Sequence, residues 1–309
     1  AGGAEGGWPR GAAGAVTGVA ARGHPDKVMQ HRHGEDAFFV SESSGSFGVA
    51  DGISQWIDVD VDAGEYSRLL MEKCKEEAEL MFNQERRVEP KEVIERAYRH
   101  TLGTVGSSTV CVLALDDEYM LHAANLGDSG FMVLRSSDQQ PTGLAAKAPD
   151  VQTKHHKWDW VYRTHEMQRF FNCPDQLGPG CPDRPGRAET FQLPVLPGDI
   201  IIAASDGLFD NISEREVCMI VKRLCSKTQS LFPEDNPRLV HEDSNKDGRV
   251  ARWLRGLAEI LVDEAQTIGM SSAARTPFQK QCLRAGYRHE GGKLDDVVAV
   301  ISMVVPKNA

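Results

Sequence analysis

The chain has 309 residues, of which 40% are hydrophobic and 26% are charged, a composition typical of a globular protein with one large domain. No apolar run approaches the roughly 18 residues of a membrane span, so no membrane partner is expected. The formal net charge of -10 would repel a phosphate backbone, which argues against nucleic acid as a partner.

The amino-terminal part predicts an arm followed by a β-hairpin. Residues 1–22 are rich in Gly and Ala with few large apolar side chains, and such a composition cannot offset the entropy of ordering, so we expect a flexible arm. Two β-prone runs follow, DAFFV and FGVAD, separated by a small polar stretch at 43–46 that is typical of a hairpin turn. Asp36 opens the first run and Asp51 closes the second.

Apolar side chains at helical spacing predict one helix from about residue 62 to about residue 82 and another after Pro90. The segment STVCVLALDDEYMLHAANLGDSGFMVLR then predicts an antiparallel meander of three strands with two turns. The stretch 136–194 is rich in Pro, Gly and polar residues, which indicates a long insertion, and a short helix is expected from Val161 to Phe171.

The last third of the chain predicts a buried strand, DIIIAASDG, that ends at Asp206. Ser213 and Glu216 form a capping box that opens a helix, and a further helix is expected over about 250–268. The chain ends with the apolar strand DDVVAVISMVV. Strand runs flanked by pairs of helices indicate an α+β fold, a four-layer αββα sandwich of two antiparallel sheets with helices outside.

Acidic residues stand at the ends of four apolar strands, in GEDAFFV, FGVADG, IIAASDG and LDDVVAV. A carboxylate at the edge of a low-dielectric core is costly without a compensating cation, and no matching set of Lys or Arg stands at these strand ends. Oxygen donors alone favour Mg²⁺ or Mn²⁺ over zinc. Any single Asp-Gly pair is better explained as a turn, but the whole set predicts a metal site at the sheet ends.

Six motifs occur in the order and approximate spacing of those of the type 2C metal-dependent Ser/Thr protein phosphatases, which the chain resembles over about residues 34–305. They are GEDAFFV, GVADG, SSTVCVLALD, ANLGDSG, ASDGLFDN and GGKLDDVVAVI. The resemblance is strongest to the subgroup of the mitochondrial phosphatase of T-cell activation, and it includes Phe171, Asn172, Pro174, Gln176 and Leu177. It implies a catalytic domain over residues 23–309 that dephosphorylates phosphoserine and phosphothreonine in phosphoprotein substrates.

The resemblance also implies a role for each matching residue. Asp51 would bridge two Mg²⁺ or Mn²⁺ ions, with the Gly52 carbonyl as a further ligand, while Asp206 and Asp295 would hold the second ion. These three aspartates would carry catalysis through a metal-bound water, since two such ions lower the pKa of a bridging water and clamp the oxygens of an in-line displacement.

Four other acidic residues complete the implied metal site. Glu35 and Asp36 would bind metal-coordinated waters or the ions themselves. Asp128 would share a third, weakly bound ion with Asp206. Asp296 stands where many relatives have asparagine, and we expect it to support the metal ligands.

Two positions depart from the family pattern. Many members have a histidine directly after the first Asp-Gly, assigned as the acid that protonates the leaving oxygen, whereas Ile53 stands here. His31, His33 and His165 are the remaining candidates, although each is better explained as a surface histidine. Arg32 is the nearest candidate for the arginine that binds the substrate phosphate, at a spacing that differs from the family pattern.

Two other functions stay open at this point. A pseudophosphatase would use the same sandwich as a regulatory binding module, and a metal phosphodiesterase would use the same ligands on bis-esters.

Seven cysteines without a CxxC pair fit a reducing compartment, the subgroup resemblance indicates a mitochondrial location, and the cytoplasm is the alternative. We expect a monomer, and because the sequence begins with Ala1 we expect the native amino terminus to lie outside it.

Overall fold

The structure, a computed structural model, describes residues 13–26, 34–59, 61–136, 158–227 and 248–306. Two five-stranded sheets with antiparallel pairing lie at its centre. The first contains, in spatial order, Ala13–Arg22 (β1), Val297–Pro306 (β12), Ile200–Ala204 (β11), Gly130–Ser136 (β6) and Trp158–Arg163 (β7). The second contains Glu189–Pro194 (β10), Met120–Leu126 (β5), Val110–Leu115 (β4), Ser46–Ala50 (β3) and Ala37–Ser41 (β2). A small separate sheet pairs Gln168–Phe170 (β8) with Cys173–Pro174 (β9).

Helices cover the outer face of each sheet. Ala63–Glu85 (α1) and Pro90–Thr101 (α2) pack on the second sheet, and Glu214–Lys227 (α4) and Arg249–Gly269 (α5) pack on the first. Two short helices, Asp206–Phe209 (α3) and Pro277–Arg284 (α6), follow β11 and α5 along the chain. This arrangement confirms the αββα sandwich predicted from the sequence.

The apolar character of β12 follows from its central position. Val298 and Val300 belong to the core between the two sheets, whereas Val297 and Ile301 belong to the core beneath α5. Because successive side chains of a strand point to opposite faces, a strand buried on both sides is apolar at nearly every position.

The predicted hairpin and capping box are confirmed. The predicted three-stranded meander is wrong, because β4 pairs with β5 in the second sheet whereas β6 crosses to the first sheet and pairs there with β11 and β7. Strands β2 and β3 pair from Ala37 opposite Ala50 to Ser41 opposite Ser46. At the start of α4, the Ser213 backbone N–H donates to Glu216 Oε2 at 2.8 Å and the Ser213 hydroxyl donates to the same oxygen at 2.6 Å.

The expectation of a flexible arm is wrong for Ala13–Arg22, which form β1 and pair with β12 along its whole length. The small side chains have a packing reason. A Cβ added to Gly18 would lie 2.3 Å from the Arg255 backbone nitrogen, so α5 can cross β1 only where the side chain is absent. Residues 1–12 lie outside the described residues.

The helix expected from Val161 to Phe171 is also wrong, because this stretch contributes to β7 and β8. The aromatic and β-branched sequence WDWVYR favours a strand, and β7 extends the first sheet at its edge. At the end of the predicted insertion, β10 forms an edge of the second sheet. The described part of 136–194 therefore adds an edge strand to each sheet.

No helix within the described ranges is long and apolar enough to cross a membrane.

Candidate metal centre

Aspartates from both sheets meet at one end of the sandwich. Asp51 directly follows β3, Asp128 lies in the turn between β5 and β6, and Asp206 is the first residue of α3, after β11. Each of the three offers a carboxylate oxygen, and these oxygens all lie within 4.8 Å of one another. The sandwich thus brings together carboxylates that are far apart in the sequence.

The backbone around Asp51 is held by a neighbouring strand. The Thr109 hydroxyl accepts the Asp51 N–H at 3.0 Å, and the Thr109 N–H donates to the Asp51 carbonyl at 3.0 Å. Thr109 Oγ1 also lies 2.7 Å from Ser129 Oγ, which ties Asp51 to the turn that carries Asp128. The next residue, Gly52, has no room for a side chain, because an added Cβ would lie 2.5 Å from the Ala63 carbonyl oxygen.

Asp36 reaches the same end of the sandwich from the start of β2. Its side chain is buried, and Oδ2 accepts a hydrogen bond from the Ser205 hydroxyl at 2.6 Å. Ser205 immediately precedes Asp206, so this bond connects the two sheets directly beside the aspartate cluster. Glu35, the preceding residue, is buried as well, and its carbonyl accepts the Gly52 N–H at 3.2 Å.

Asp296 fastens the chain that enters β2. One carboxylate oxygen accepts the Glu35 N–H at 2.8 Å, and the other accepts the His24 N–H. Gly34 has a φ of 68° and would place a Cβ 2.1 Å from Asp296 Oδ1, so only glycine fits there. These contacts fit the supporting role expected for Asp296.

A lysine lies among the aspartates on the other side of the cluster. The ammonium of Lys293 contacts Asp206 Oδ2, lies 2.8 Å from Asp210 Oδ2 and lies 3.4 Å from Asp295 Oδ2. It also lies 5.1 Å from the centre of the Phe278 ring, which covers it. Lys293 therefore provides a positive charge that sequence reasoning did not find at these strand ends.

The pKa values of the buried aspartates show that their negative charges are not fully compensated within the cluster. Burial, together with repulsion from neighbouring aspartates, raises the pKa of Asp36, Asp51 and Asp128 well above the ordinary value. Burial acts to raise the pKa of Asp206 too, but the charge and hydrogen bond of Lys293 outweigh it and the pKa is lowered. Burial and the charge of Asp206 raise the pKa of Asp210 to about 7, against the opposing effect of Lys293.

Three buried carboxylate oxygens show that this donor set fits a divalent cation. Asp36 Oδ1, Asp128 Oδ1 and Asp206 Oδ1 are buried and have no hydrogen-bond partner in the described part of the chain. An unsatisfied buried carboxylate oxygen is costly, and hard cations such as Mg²⁺ or Mn²⁺ satisfy oxygens of this kind. Several carboxylates with raised pKa values would release protons when such an ion binds.

The other predicted site residues differ in how the structure places them. Asp295 lies beside the cluster, with Oδ1 accepting the Asp296 N–H at 2.9 Å. His165 is exposed and lies 3.3 Å from Glu189, as a surface histidine would. The remaining three predicted residues, Arg32, His31 and His33, lie outside the described residues.

Sequence reasoning missed Lys293, Asp210 and Ser205 as members of the site. Each lies inside a motif already noted, since Ser205 and Asp210 flank Asp206 in ASDGLFD and Lys293 precedes the acidic pair in GGKLDD. The signal for Asp210 was available, because α3 places residues four positions apart on one face. The position of Lys293 depends on a long-range contact that no local pattern contains.

No family model matches the chain. The chain is 31% identical over 297 residues to "Protein phosphatase PTC7 homolog fig" of Drosophila virilis, covering 90% of this chain and 81% of that protein. It is 34% identical over 283 residues to "Probable protein phosphatase 2C 55" of Arabidopsis thaliana, covering 91% of this chain and 50% of that protein. The chain spans about half the length of such plant relatives.

Solved structures share the fold. The photosystem II phosphatase PBCP has a TM-score of 0.71 at 23% identity, covering 94% of this chain and 98% of that one. The catalytic domain of the serine threonine protein phosphatase PstP, solved in complex with 2 manganese ions, has a TM-score of 0.54 at 13% identity, covering 95% and 99%. Together with the sequence relatives, they show that the chain belongs to the type 2C protein phosphatase family.

Proposed function

We propose that the chain is a protein-serine/threonine phosphatase that uses two divalent cations, Mg²⁺ or Mn²⁺, to hydrolyse phosphoserine and phosphothreonine in phosphoprotein substrates. The observation that carries this proposal is the cluster of Asp51, Asp128 and Asp206, whose carboxylate oxygens lie within 4.8 Å of one another in a chain of this family. The activity is proposed on this cluster and not on the fold, because a fold alone does not define a reaction.

Each residue of the cluster would have its own role in binding the two ions. Asp51 would hold both ions together with Asp206, and Asp36, Asp128 and Asp295 would complete the ligand set. When bound, a pair of such ions lowers the pKa of a water and clamps the oxygens of an in-line displacement at phosphorus. The hydrogen bonds of Thr109 and Ser205 keep Asp51 and Asp36 in place, which limits reorganisation during the reaction.

The proton for the leaving oxygen must come from a group other than residue 53. Ile53 occupies that position and carries no proton to donate. His165 is exposed, and its Nε2 lies 3.3 Å from Glu189 Oε2. The proton donor is therefore sought among solvent and the residues outside the described ranges, and Arg32 is retained as the proposed phosphate ligand.

Membership of the family does not define the cellular location or the oligomeric state, which are therefore proposed separately. We retain a mitochondrial location, with the cytoplasm as the alternative, on the resemblance to the subgroup. A monomer that acts on phosphoproteins, with no nucleic-acid or membrane partner, fits the net charge of -10.

The test is hydrolysis of a phosphothreonine peptide by the purified chain with Mn²⁺ or with a chelator. We expect activity only with the metal and a loss of at least about 100-fold in Asp206→Asn, because a ligand oxygen is replaced by a neutral amide. Asp117→Asn, an exposed turn aspartate at the opposite end of β4, is the matched control and should retain activity. Activity that survives chelation, or Asp206→Asn at full rate, would contradict the proposal.

A bis-ester substrate offered beside the monoester separates this reaction from that of a phosphodiesterase. We expect the monoester to be hydrolysed preferentially. Binding of Mn²⁺ without hydrolysis of any phosphopeptide would instead indicate a regulatory binding module.

A further inference from the structure

We infer that the ammonium of Lys293 takes the place of a third cation between Asp206 and Asp210, so that the centre binds two divalent ions and no third ion binds at that position. This inference rests on the proposed metal centre. It assigns to Lys293 the role of a positioning residue, which acts on the metal ligands and does not touch the substrate.

The contacts of Lys293 are those of a cation in a site. Its ammonium is shared by carboxylate oxygens of Asp206, Asp210 and Asp295, and 17% of its side-chain surface is exposed. Three carboxylates from two separated segments converge on this one group, which is how a protein binds a small cation with oxygen ligands. An ammonium bears one positive charge, so it neutralises less than a divalent ion would.

The two oxygens of Asp206 divide the centre into two parts. Oδ2 contacts Lys293, whereas Oδ1 is buried and has no hydrogen-bond partner within the described ranges. The oxygens of Asp51 and Asp128 lie within 4.8 Å of Asp206. Asp206 can therefore bind a metal ion on one side while Lys293 occupies the other, and the two roles do not compete for the same atom.

The backbone of Lys293 is fixed so that the ammonium stays there. Asn211 donates to the Lys293 carbonyl at 2.7 Å and accepts the Lys293 N–H at 2.9 Å. The preceding Gly292 packs so closely on the end of α5 that an added Cβ would lie 2.1 Å from the Ile268 carbonyl oxygen. These backbone contacts fix where the side chain begins, and the Phe278 ring lies 5.1 Å from its ammonium.

Removing the lysine charge would leave no cation between the Oδ2 atoms of Asp206, Asp210 and Asp295. Carboxylates so arranged repel each other strongly at low dielectric, and a divalent ion from solution would relieve that repulsion. A neutral residue at position 293 should therefore open a third ion site formed by Asp206 and Asp210.

The experiment counts bound Mn²⁺ on the purified, metal-free full chain by equilibrium dialysis with elemental analysis, and measures free Mn²⁺ by electron paramagnetic resonance. We expect two ions bound by the wild type and three by Lys293→Gln. Lys293→Arg, which keeps the charge, should bind two. The double variant Lys293→Gln with Asp210→Asn should return to two, because the new site has lost a ligand. Circular dichroism and the melting temperature confirm that each variant is folded.

The outcomes separate this inference from the proposed function. Two ions in Lys293→Gln, or three in the wild type, would overturn the role of Lys293 while leaving the dinuclear centre intact. No ion bound by the wild type would overturn the proposed function and this inference together. A third ion in Lys293→Arg equal to that in Lys293→Gln would show that size and not charge controls the site, and would also overturn it.

Discussion

Asn211 and Lys293 are joined by a reciprocal pair of hydrogen bonds, in which the Asn211 amide donates to the Lys293 carbonyl at 2.7 Å and accepts the Lys293 N–H at 2.9 Å. The same amide group donates to the Gly207 carbonyl at 2.9 Å. One buried side chain therefore ties the loop before β12 to α3, and with it Lys293 to Asp206.

Asn211→Ala should weaken both folding and metal binding. The substitution leaves one backbone N–H and two carbonyls without their Asn211 partner in a buried setting, which costs about 2 kcal/mol of unfolding free energy. Urea unfolding in chelator measures this loss, and calorimetry measures the accompanying fall in Mn²⁺ affinity. Gln192→Ala, which removes an amide side chain from the exposed face of β10, is the control and should change stability by no more than about 0.5 kcal/mol. Equal unfolding curves for the two variants would refute the role of Asn211.

Two glycines near the contact of β1 with α5 predict opposite effects of the same substitution. Gly18→Ala should destabilise the fold by more than about 1 kcal/mol, since its Cβ would lie 2.3 Å from the Arg255 backbone and neither element can yield cheaply. Gly256→Ala should stabilise it by about 0.5–1 kcal/mol, because position 256 lies within α5 and has open space around it. Denaturant midpoints of both variants check the pair, and a stabilising Gly18→Ala would show that β1 does not pack as described.

The same glycine explains why the sequence was misread at its amino terminus. Low side-chain bulk is typical both of disordered segments and of strands that a helix approaches closely, and only the position of α5 distinguishes the two. Strands β3, β4, β11 and β12 were predictable because burial on both faces leaves a continuous apolar run. The aspartates were predictable as a set because each stands at the end of one of these apolar runs.

Lys293 shows what local patterns could not supply. Its sequence neighbours indicate only a loop before a strand, and the carboxylates it contacts include residues 87 and 83 positions away. The sequence therefore predicted the carboxylates of the site but not the ammonium of Lys293, because only tertiary packing brings that ammonium to them.

Ser205→Ala should weaken the link between the sheets at the site. Its hydroxyl donates to Asp36 Oδ2 at 2.6 Å and accepts the Val298 N–H at 3.1 Å, so the substitution leaves one carboxylate oxygen and one N–H unsatisfied. Because that hydrogen bond lowers the pKa of Asp36, we expect Mn²⁺ binding to need a higher pH in the variant. Calorimetric titrations across pH measure the shift, and Ser205→Thr, which keeps the hydroxyl, should recover most of it. A pH dependence unchanged in Ser205→Ala would count against the link.

The metal-free protein should become less stable as the pH rises through about 7. Burial and the charge of Asp206 raise the pKa of Asp210 from 3.8 to about 7, so the folded state keeps a proton there that the unfolded state has already released. A raised pKa contributes stability that is complete below 3.8 and is lost as the pH passes the folded value. Asp36, Asp51 and Asp128 shift in the same direction, whereas the lowered pKa of Asp206 acts only below 3.8, outside this range.

Melting temperatures in chelator, measured from about pH 5 to about pH 8 at constant ionic strength, test this dependence. We expect the melting temperature to fall across the range, and saturating Mn²⁺ to reduce or reverse the fall, because the ion binds the deprotonated carboxylates of the folded state. Asp210→Asn cannot titrate at that position and should show a shallower slope in chelator. A slope equal to that of the wild type would mean that Asp210 is already charged in the metal-free fold, and Lys293 alone would then compensate it.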